Sequence, residues 1–227
     1  MIDILIIAPE ITKGMKSSGS KALLKIKQSI SVIEYQINEI KKYYKDANIN
    51  IVTGFEHEKI QKLYKNSSVN IIYNPNFITT NHGEAIRIFL KKTENSILNN
   101  LLVITNGILF KNKPFGTTKQ LESIDTNSIA YCIDKPKSNF NIGYNGEKHV
   151  EYLFFDLPNK WTECVLFNRE ALSYLKNINN NLSKMYLFEI INHLIDNNIN
   201  FQTIQINKKY FLKINNTKDI PKARVFI

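Results

Sequence analysis

Short apolar runs and helical stripes alternate along the chain. Residues 2–8, Ile-Asp-Ile-Leu-Ile-Ile-Ala, form a β-branched run closed by Pro9, the pattern of a buried strand. Ser31 precedes Glu34 at capping-box spacing, and Ile33, Ile37 and Ile40 then recur on one face, which predicts a helix over 31–45. Residues 49–53 read as a second strand ended by Gly54. Residues 56–65 read as a second helix with Ile60, Leu63 and Tyr64 inward, and 69–73 as a third strand. This βαβαβ order predicts a parallel sheet with right-handed crossovers. A helix at 84–93 and a buried strand at 101–105, ending in Asn106-Gly107, continue it. The region to about 167 reads as strands among turns, including 128–133 and 150–155. Residues 183–197 read as an amphipathic helix, 201–206 and 210–214 as late strands, and 219–224 as the start of a terminal helix with Pro221 in its first turn. Segments 9–20 and 74–83 are polar loops, and 21–26 is a short strand or turn.

These elements predict an α/β fold: a mostly parallel central sheet flanked by helices, with added strands in the C-terminal half. The 227 residues, 43% hydrophobic, suffice for one buried core. No repeat or linker divides them, so 1–227 reads as one domain. No run approaches the roughly 18 apolar residues of a spanning helix. Asp3 interrupts the first run and no basic segment precedes it, which argues against a signal peptide. The expectation is a soluble cytoplasmic protein with no membrane partner.

Charge narrows the partners. The net charge of +10 favours nucleotides, nucleic acid or an acidic protein surface. The lysines are dispersed, however, and Lys41-Lys42 and Lys91-Lys92 read as solvated helix faces. Lys208-Lys209-Tyr210 is too short to make a nucleic-acid groove, so nucleic acid is the disfavoured partner. Cys132 and Cys164 sit singly in apolar runs and read as small buried hydrophobes, not zinc ligands.

Several stretches occur in a telling order. Gly14-Met15-Lys16-Ser17-Ser18-Gly19-Ser20-Lys21-Ala22-Leu23-Leu24 follows the first strand. Val32 to Ile37 enters the first helix, and Asn50 to Phe55 makes the second strand and its turn. Asn74-Pro75 to Thr80-Asn81 forms a loop, Asn106-Gly107 closes the fourth strand, and Phe211 to Asn216 runs into Asp219-Ile220-Pro221-Lys222-Ala223. This succession resembles the nucleotidyltransferase superfamily, which makes NDP-sugars and CDP-alcohols on a GT-A-like Rossmannoid fold. The resemblance implies a nucleotide-binding-type half at 1–110 and an acceptor-type half at 111–227. It implies nucleotide contacts by Lys13, Gly14, Lys16, Lys21, Asn81 and Gly107. The family's reaction is attack of a phosphorylated acceptor on the α-phosphorus of an NTP, assisted by a carboxylate-held divalent metal.

The departures fall on the chemistry. The first strand is followed by Ala8-Pro9-Glu10-Ile11-Thr12-Lys13, with no glycine before Gly14; Gly14 stands at the family's loop arginine, and Ser20 at its proline before Lys21. The family's two metal-binding aspartates correspond to Ile108 and Asn215, and neither offers a carboxylate. Catalytic candidates are therefore few: Lys21, Asp156 and Asp219. Mg²⁺ is implied only if the protein is active, and no other cofactor is expected. His82, Trp161 and Glu163 have both structural and ligand-contacting readings. His57, His149 and His193 read as structural or surface residues.

The first functional reading is a non-catalytic module that binds a nucleotide, a protein partner or its own copies. The abundance of Asn, Lys and Ile fits an AT-rich genome and extends that reading to a viral or phage structural component, in the cytoplasm or the virion. An active NTP transferase is the alternative, and a nucleic-acid-binding module ranks third.

Overall fold

In the computed structural model, residues 2–11, 19–94, 99–111, 116, 121, 125–133, 142–147, 149–157 and 159–227 are described. The first apolar runs become parallel strands: β1 (Asp3–Ala8), β2 (Asn48–Thr53) and β3 (Asn70–Tyr73), with Ile4 opposite Ile49 and Ile51 opposite Ile71. The other edge of β1 pairs in parallel with β4 (Leu101–Thr105), Asp3 opposite Leu101. Beyond β4 the direction reverses. The long strand β9 (Asn159–Phe167) is antiparallel to β4 and to β6 (Asn127–Ile133). The strand β10 (Phe201–Gln205) restores a parallel pairing on β6. A hairpin of β7 (Ile142–Asn145) and β8 (Tyr152–Phe155) leans on β9 through β7. A separate antiparallel pair joins β5 (Ile108–Phe110) to β11 (Phe211–Lys213).

Strand alternation sorts the core onto both faces of this sheet. Ile4 and Ile6 point to one face, where they meet Ile33, Ile37 and Ile40 of α1 (Val32–Tyr43) and Ile60 of α2 (His57–Tyr64). Leu5 and Ile7 point to the other. There they join a cluster built from α3 (His82–Lys92), α4 (Arg169–Asn177) and α5 (Leu187–Asp196). A third cluster, with Leu109 and Ile214, seats the terminal helix α6 (Ile220–Phe226). Among the described residues, no helix is long and apolar enough to cross a membrane.

The mostly parallel sheet flanked by helices agrees with the sequence reading, and so do the first three strands and two helices. Two elements differ. Residues 169–177 form a helix the sequence reading lacks: Asn168 caps it, its Oδ1 accepting the Ala171 N–H at 2.9 Å, but its apolar stripe is only Ala171, Leu172 and Leu175. The helix expected from 183 begins at Leu187, because Glu189 accepts the Tyr186 N–H at 2.6 Å and fixes the start there. Residues 21–23 form a single 3-10 turn, the second of the two forms read there.

Gly83, in the first turn of α3, is where two segments touch. A Cβ built there would stand 1.8 Å from the Leu182 carbonyl oxygen, a backbone atom that cannot swing away. Gly83→Ala is therefore expected to lower stability in urea unfolding by roughly 1–3 kcal/mol, an overpacking cost. Lys91→Ala, on the exposed side of the same helix, is expected to stay within about 0.5 kcal/mol of the parent.

Candidate active site

The site grows from the turn between β4 and β5. Asn106 donates its N–H to Ile7 O at 2.9 Å, and Ile214 donates to Gly107 O at 2.9 Å. Buried Gln36, from α1, donates its amide to Thr105 O at 3.1 Å and Ile108 O at 2.9 Å. The turn is thus tied to β1, α1 and the end of β11. Gly107 has φ +95°, and a Cβ there would lie 2.7 Å from Ile214 O and 3.2 Å from Lys21 Cδ and Cε. The glycine lets the stem of Lys21 pass over the turn. Lys21 is set by its own loop: Glu56 accepts the Ser20 N–H at 2.6 Å, and Ser20 Oγ accepts the Ala22 N–H at 3.3 Å.

Glu163 comes from the opposite side. The pairing of β9 with β6 slips between Ile129 and Tyr131, and Glu163 takes φ +58° at that irregularity. A bulge of this kind re-aims one side chain, and a left-handed non-glycine residue marks local strain. The re-aimed carboxylate accepts the Thr105 hydroxyl at 2.8 Å and pairs with the Lys213 ammonium at the end of β11. Across from it, Glu10 follows β1 and bonds His82 Nε2 at 2.6 Å. His82 Nδ1 accepts the Leu187 N–H at 3.3 Å, so its Nε2 carries the hydrogen toward Glu10.

These side chains line a polar cavity of about 240 Å³, together with Ile7, Thr105, Asn106 and Asn215. Asn106 is 8% exposed, and among the described residues its enclosed Oδ1 has no hydrogen-bond partner. Through His82, Thr105 and Glu163 the polar cavity adjoins a second one of about 430 Å³. Its walls are Phe155, Trp161, Tyr186 and Phe188, with Glu189 at its margin.

Burial and charge oppose each other here. Burial resists ionisation of Glu163, but the Lys213 ammonium and the Thr105 hydroxyl hold its pKa below the usual value. Glu10 loses some hydration too, although about half of its side chain stays exposed (49%), and the His82 bond with the Lys21 and Lys213 charges brings it down to about 2. Burial lowers the pKa of Lys21, and Glu10 and Glu163 partly offset that.

Of the residues expected from sequence, Lys21 and Asn215 line the polar cavity, and Gly107 supports Lys21 from behind. Asn81 precedes α3 and donates its side-chain amide to Lys184 O. Asp156 occupies an exposed turn after β8. Asp219 accepts the N–H groups of Asn215 and Asn216 at 2.9 and 3.2 Å, a backbone-capping role. Lys13, Gly14 and Lys16 lie outside the described residues. Sequence reasoning passed over Lys213 and Thr105, took Asn106 only as part of the Asn106-Gly107 pair and Glu10 only as a negative charge where phosphates should lie, and left Glu163 as one isolated carboxylate. The one signal was a charged residue inside an apolar run, Trp161-Thr162-Glu163-Cys164-Val165.

The donor set does not fit a divalent metal. Ile108 is fully buried in the apolar cluster beneath α1, and Asn215 offers one neutral oxygen. The Glu163 carboxylate is already engaged by an ammonium. Among the described residues, no group of three or more His, Cys, Asp or Glu side chains is placed to hold a metal ion.

Comparison with solved structures decides the fold. The CTP:phosphocholine cytidylyltransferase of Streptococcus pneumoniae superposes with a TM-score of 0.78 at 15% identity, covering 99% of this chain and 98% of that one. A nucleoside-diphosphate-sugar pyrophosphorylase from Vibrio cholerae RC9 gives 0.76 at 11%, covering 99% and 100%. The inositol-1-phosphate CTP transferase of T. maritima gives 0.70 at 10%, covering 99% and 95%. The chain has the nucleotidyltransferase fold. No protein-family model matches the chain, and no curated protein does. In this nucleotidyltransferase fold the charged cavity lies beyond the carboxyl ends of β1 and β4, where ligands of open α/β sheets bind.

The depressed carboxylates set a pH dependence. A group whose pKa is lower folded than unfolded stabilises fully above its unfolded pKa and loses that contribution as pH falls through the folded one. For Glu10 the window runs from its ordinary 4.5 down to about 2, and Glu163 shifts in the same direction. Thermal unfolding should show Tm falling as pH is lowered through that window. Glu163→Gln is expected to lower Tm at neutral pH, by leaving Lys213 unpaired, and to shrink the acid-induced fall.

Proposed function

We propose that this protein is a nucleotide-binding module derived from nucleotidyltransferases, in which metal-dependent transfer has been lost. The observation that carries the reading is the joined pair of cavities. One offers two lysines for phosphate groups; the other offers aromatic walls. Loss of transfer is supported by Ile108 and Asn215 at the two family aspartate positions. It is also supported by the direct Lys213–Glu163 pairing, because such transfer depends on a carboxylate-held cation to neutralise the phosphates.

The aromatic cavity favours a particular second group. Phe155, Trp161, Tyr186 and Phe188, with Glu163 and Glu189 near them, suit an apolar or alkylammonium moiety better than a polyhydroxylated sugar. The similar pneumococcal structure is that of a phosphocholine enzyme, which agrees with this preference. An assembly role with protein partners or further copies remains compatible with nucleotide binding; a viral or virion setting rests on composition alone. The alternative, an active NTP transferase, has Lys21 in its favour, a basic side chain in the cavity wall that could meet charge on the phosphates.

Binding and turnover separate these readings. A nucleotide that binds only the folded state raises Tm by mass action, and at least one of ATP, CTP, GTP and UTP is expected to do so. Lys21→Met should weaken that nucleotide by about tenfold or more, the scale of a lost charge-assisted hydrogen bond. No pyrophosphate release is expected with phosphorylated alcohols or sugars and Mg²⁺. Release that Lys21→Met abolishes would establish the transferase instead.

A further inference from the structure

Lys213 stands directly across from Ile108 in the β5–β11 register, and it precedes Asn215 by two residues. It therefore lies between the two positions at which the resemblance puts metal-binding carboxylates. Its ammonium enters the polar cavity and pairs with Glu163, while Lys21 brings a second ammonium to the same space. A divalent cation placed here would meet two lysines, and both carboxylates of the cavity are already engaged. It would find Glu163 held by Lys213 and Thr105, Glu10 held by His82, and one neutral oxygen on Asn215.

We propose that the Lys213 ammonium takes the place of the divalent cation, so that the cavity binds phosphates without metal and its ligand is a nucleoside diphosphate ester. This rests on the nucleotide-binding reading above and names its ligand class. Charge matching selects the ester. Lys21 and Lys213 are balanced by Glu10 and Glu163, so the empty site is close to neutral and suits a ligand of low charge. The pyrophosphate of an ester has two ionised oxygens, one for each ammonium. A nucleoside triphosphate carries roughly twice that charge. In the presence of Mg²⁺ it also brings a cation that could reach a carboxylate here only by displacing Lys213 from Glu163 or His82 from Glu10.

Shape agrees with charge. An ester has an organic group at each end of its pyrophosphate, and the two cavities meet at His82, Thr105 and Glu163. The phosphates would lie against Lys21 and Lys213, with the non-nucleoside end among Phe155, Trp161 and Phe188. No bond is made or broken in this proposal; the site retains the molecule without processing it.

The experiment is isothermal titration of the full chain with CDP-alcohols, UDP-, GDP- and ADP-sugars and the four triphosphates, each in EDTA and in Mg²⁺. At least one ester is expected to bind with an affinity that Mg²⁺ changes by less than about threefold. It should bind about tenfold or more tightly than the triphosphate of the same base, the scale of one charged contact. Lys213→Met should weaken that ester about tenfold, and Lys213→Arg should recover most of the loss, with circular dichroism verifying that each variant is folded. If Lys213→Met does not fold, Lys213→Gln takes its place. Ester binding that needs Mg²⁺, or that a folded Lys213 variant leaves intact, overturns the proposal. Preferential binding of Mg²⁺-triphosphate also overturns it while leaving nucleotide binding standing. Failure of every nucleotide and ester to bind under both conditions defeats the nucleotide-binding reading itself.

Discussion

A carboxylate withdrawn from water inside a sheet needs a positive partner, and the Glu163–Lys213 pair meets that need here. The two residues are 50 positions apart, on strands that belong to different sheets. Their union brings the short β5–β11 ribbon against the middle of β9, and the Gly107–Ile214 hydrogen bond fixes its height. Removing either charge would leave the other partly buried and unpaired, which is costlier than having neither. The pair thus serves architecture and site at once: it closes the fold late in the chain and presents an ammonium to the cavity.

The fold was legible because its first half is locally consistent. The β-branched runs at 2–8 and 49–53 and the capping box at Ser31–Glu34 each favour the element they form. The second half is less legible because context decides it. The strand β9 is apolar like the parallel strands, and nothing in its composition announces that it runs the other way. The helix α4 is short, with three buried residues, and its existence depends on the cluster it covers.

The site was legible only in part, for a different reason. Lys21 and Asn215 have neighbours in sequence that carry a family pattern. Glu163 has none: its role follows from a bulge and a left-handed backbone, which are properties of strand pairing rather than of the residue. Asp219 illustrates the converse. It is acidic and close to Asn215 in sequence, yet its carboxylate is used to cap the backbone of that same turn. Proximity along the chain did not translate into proximity to the cavity.

A fold constrains where a ligand binds far more than what is done to it. The cavity beyond the carboxyl ends of β1 and β4 is a product of sheet topology, and it persists whichever residues line it. What those residues are decides the chemistry. Two aspartates around a divalent cation would create a strong field that develops only when metal and triphosphate arrive together. Two lysines balanced by two glutamates create a weaker field that is always present. The first arrangement suits bond breaking, because charge on the departing phosphates must be met as it grows. The second suits retention of a ligand whose charge does not change. On that argument Ile108 is not simply a lost ligand. An apolar residue there packs beneath α1, and the strand position opposite it carries the ammonium that, on the proposal above, takes the metal's place.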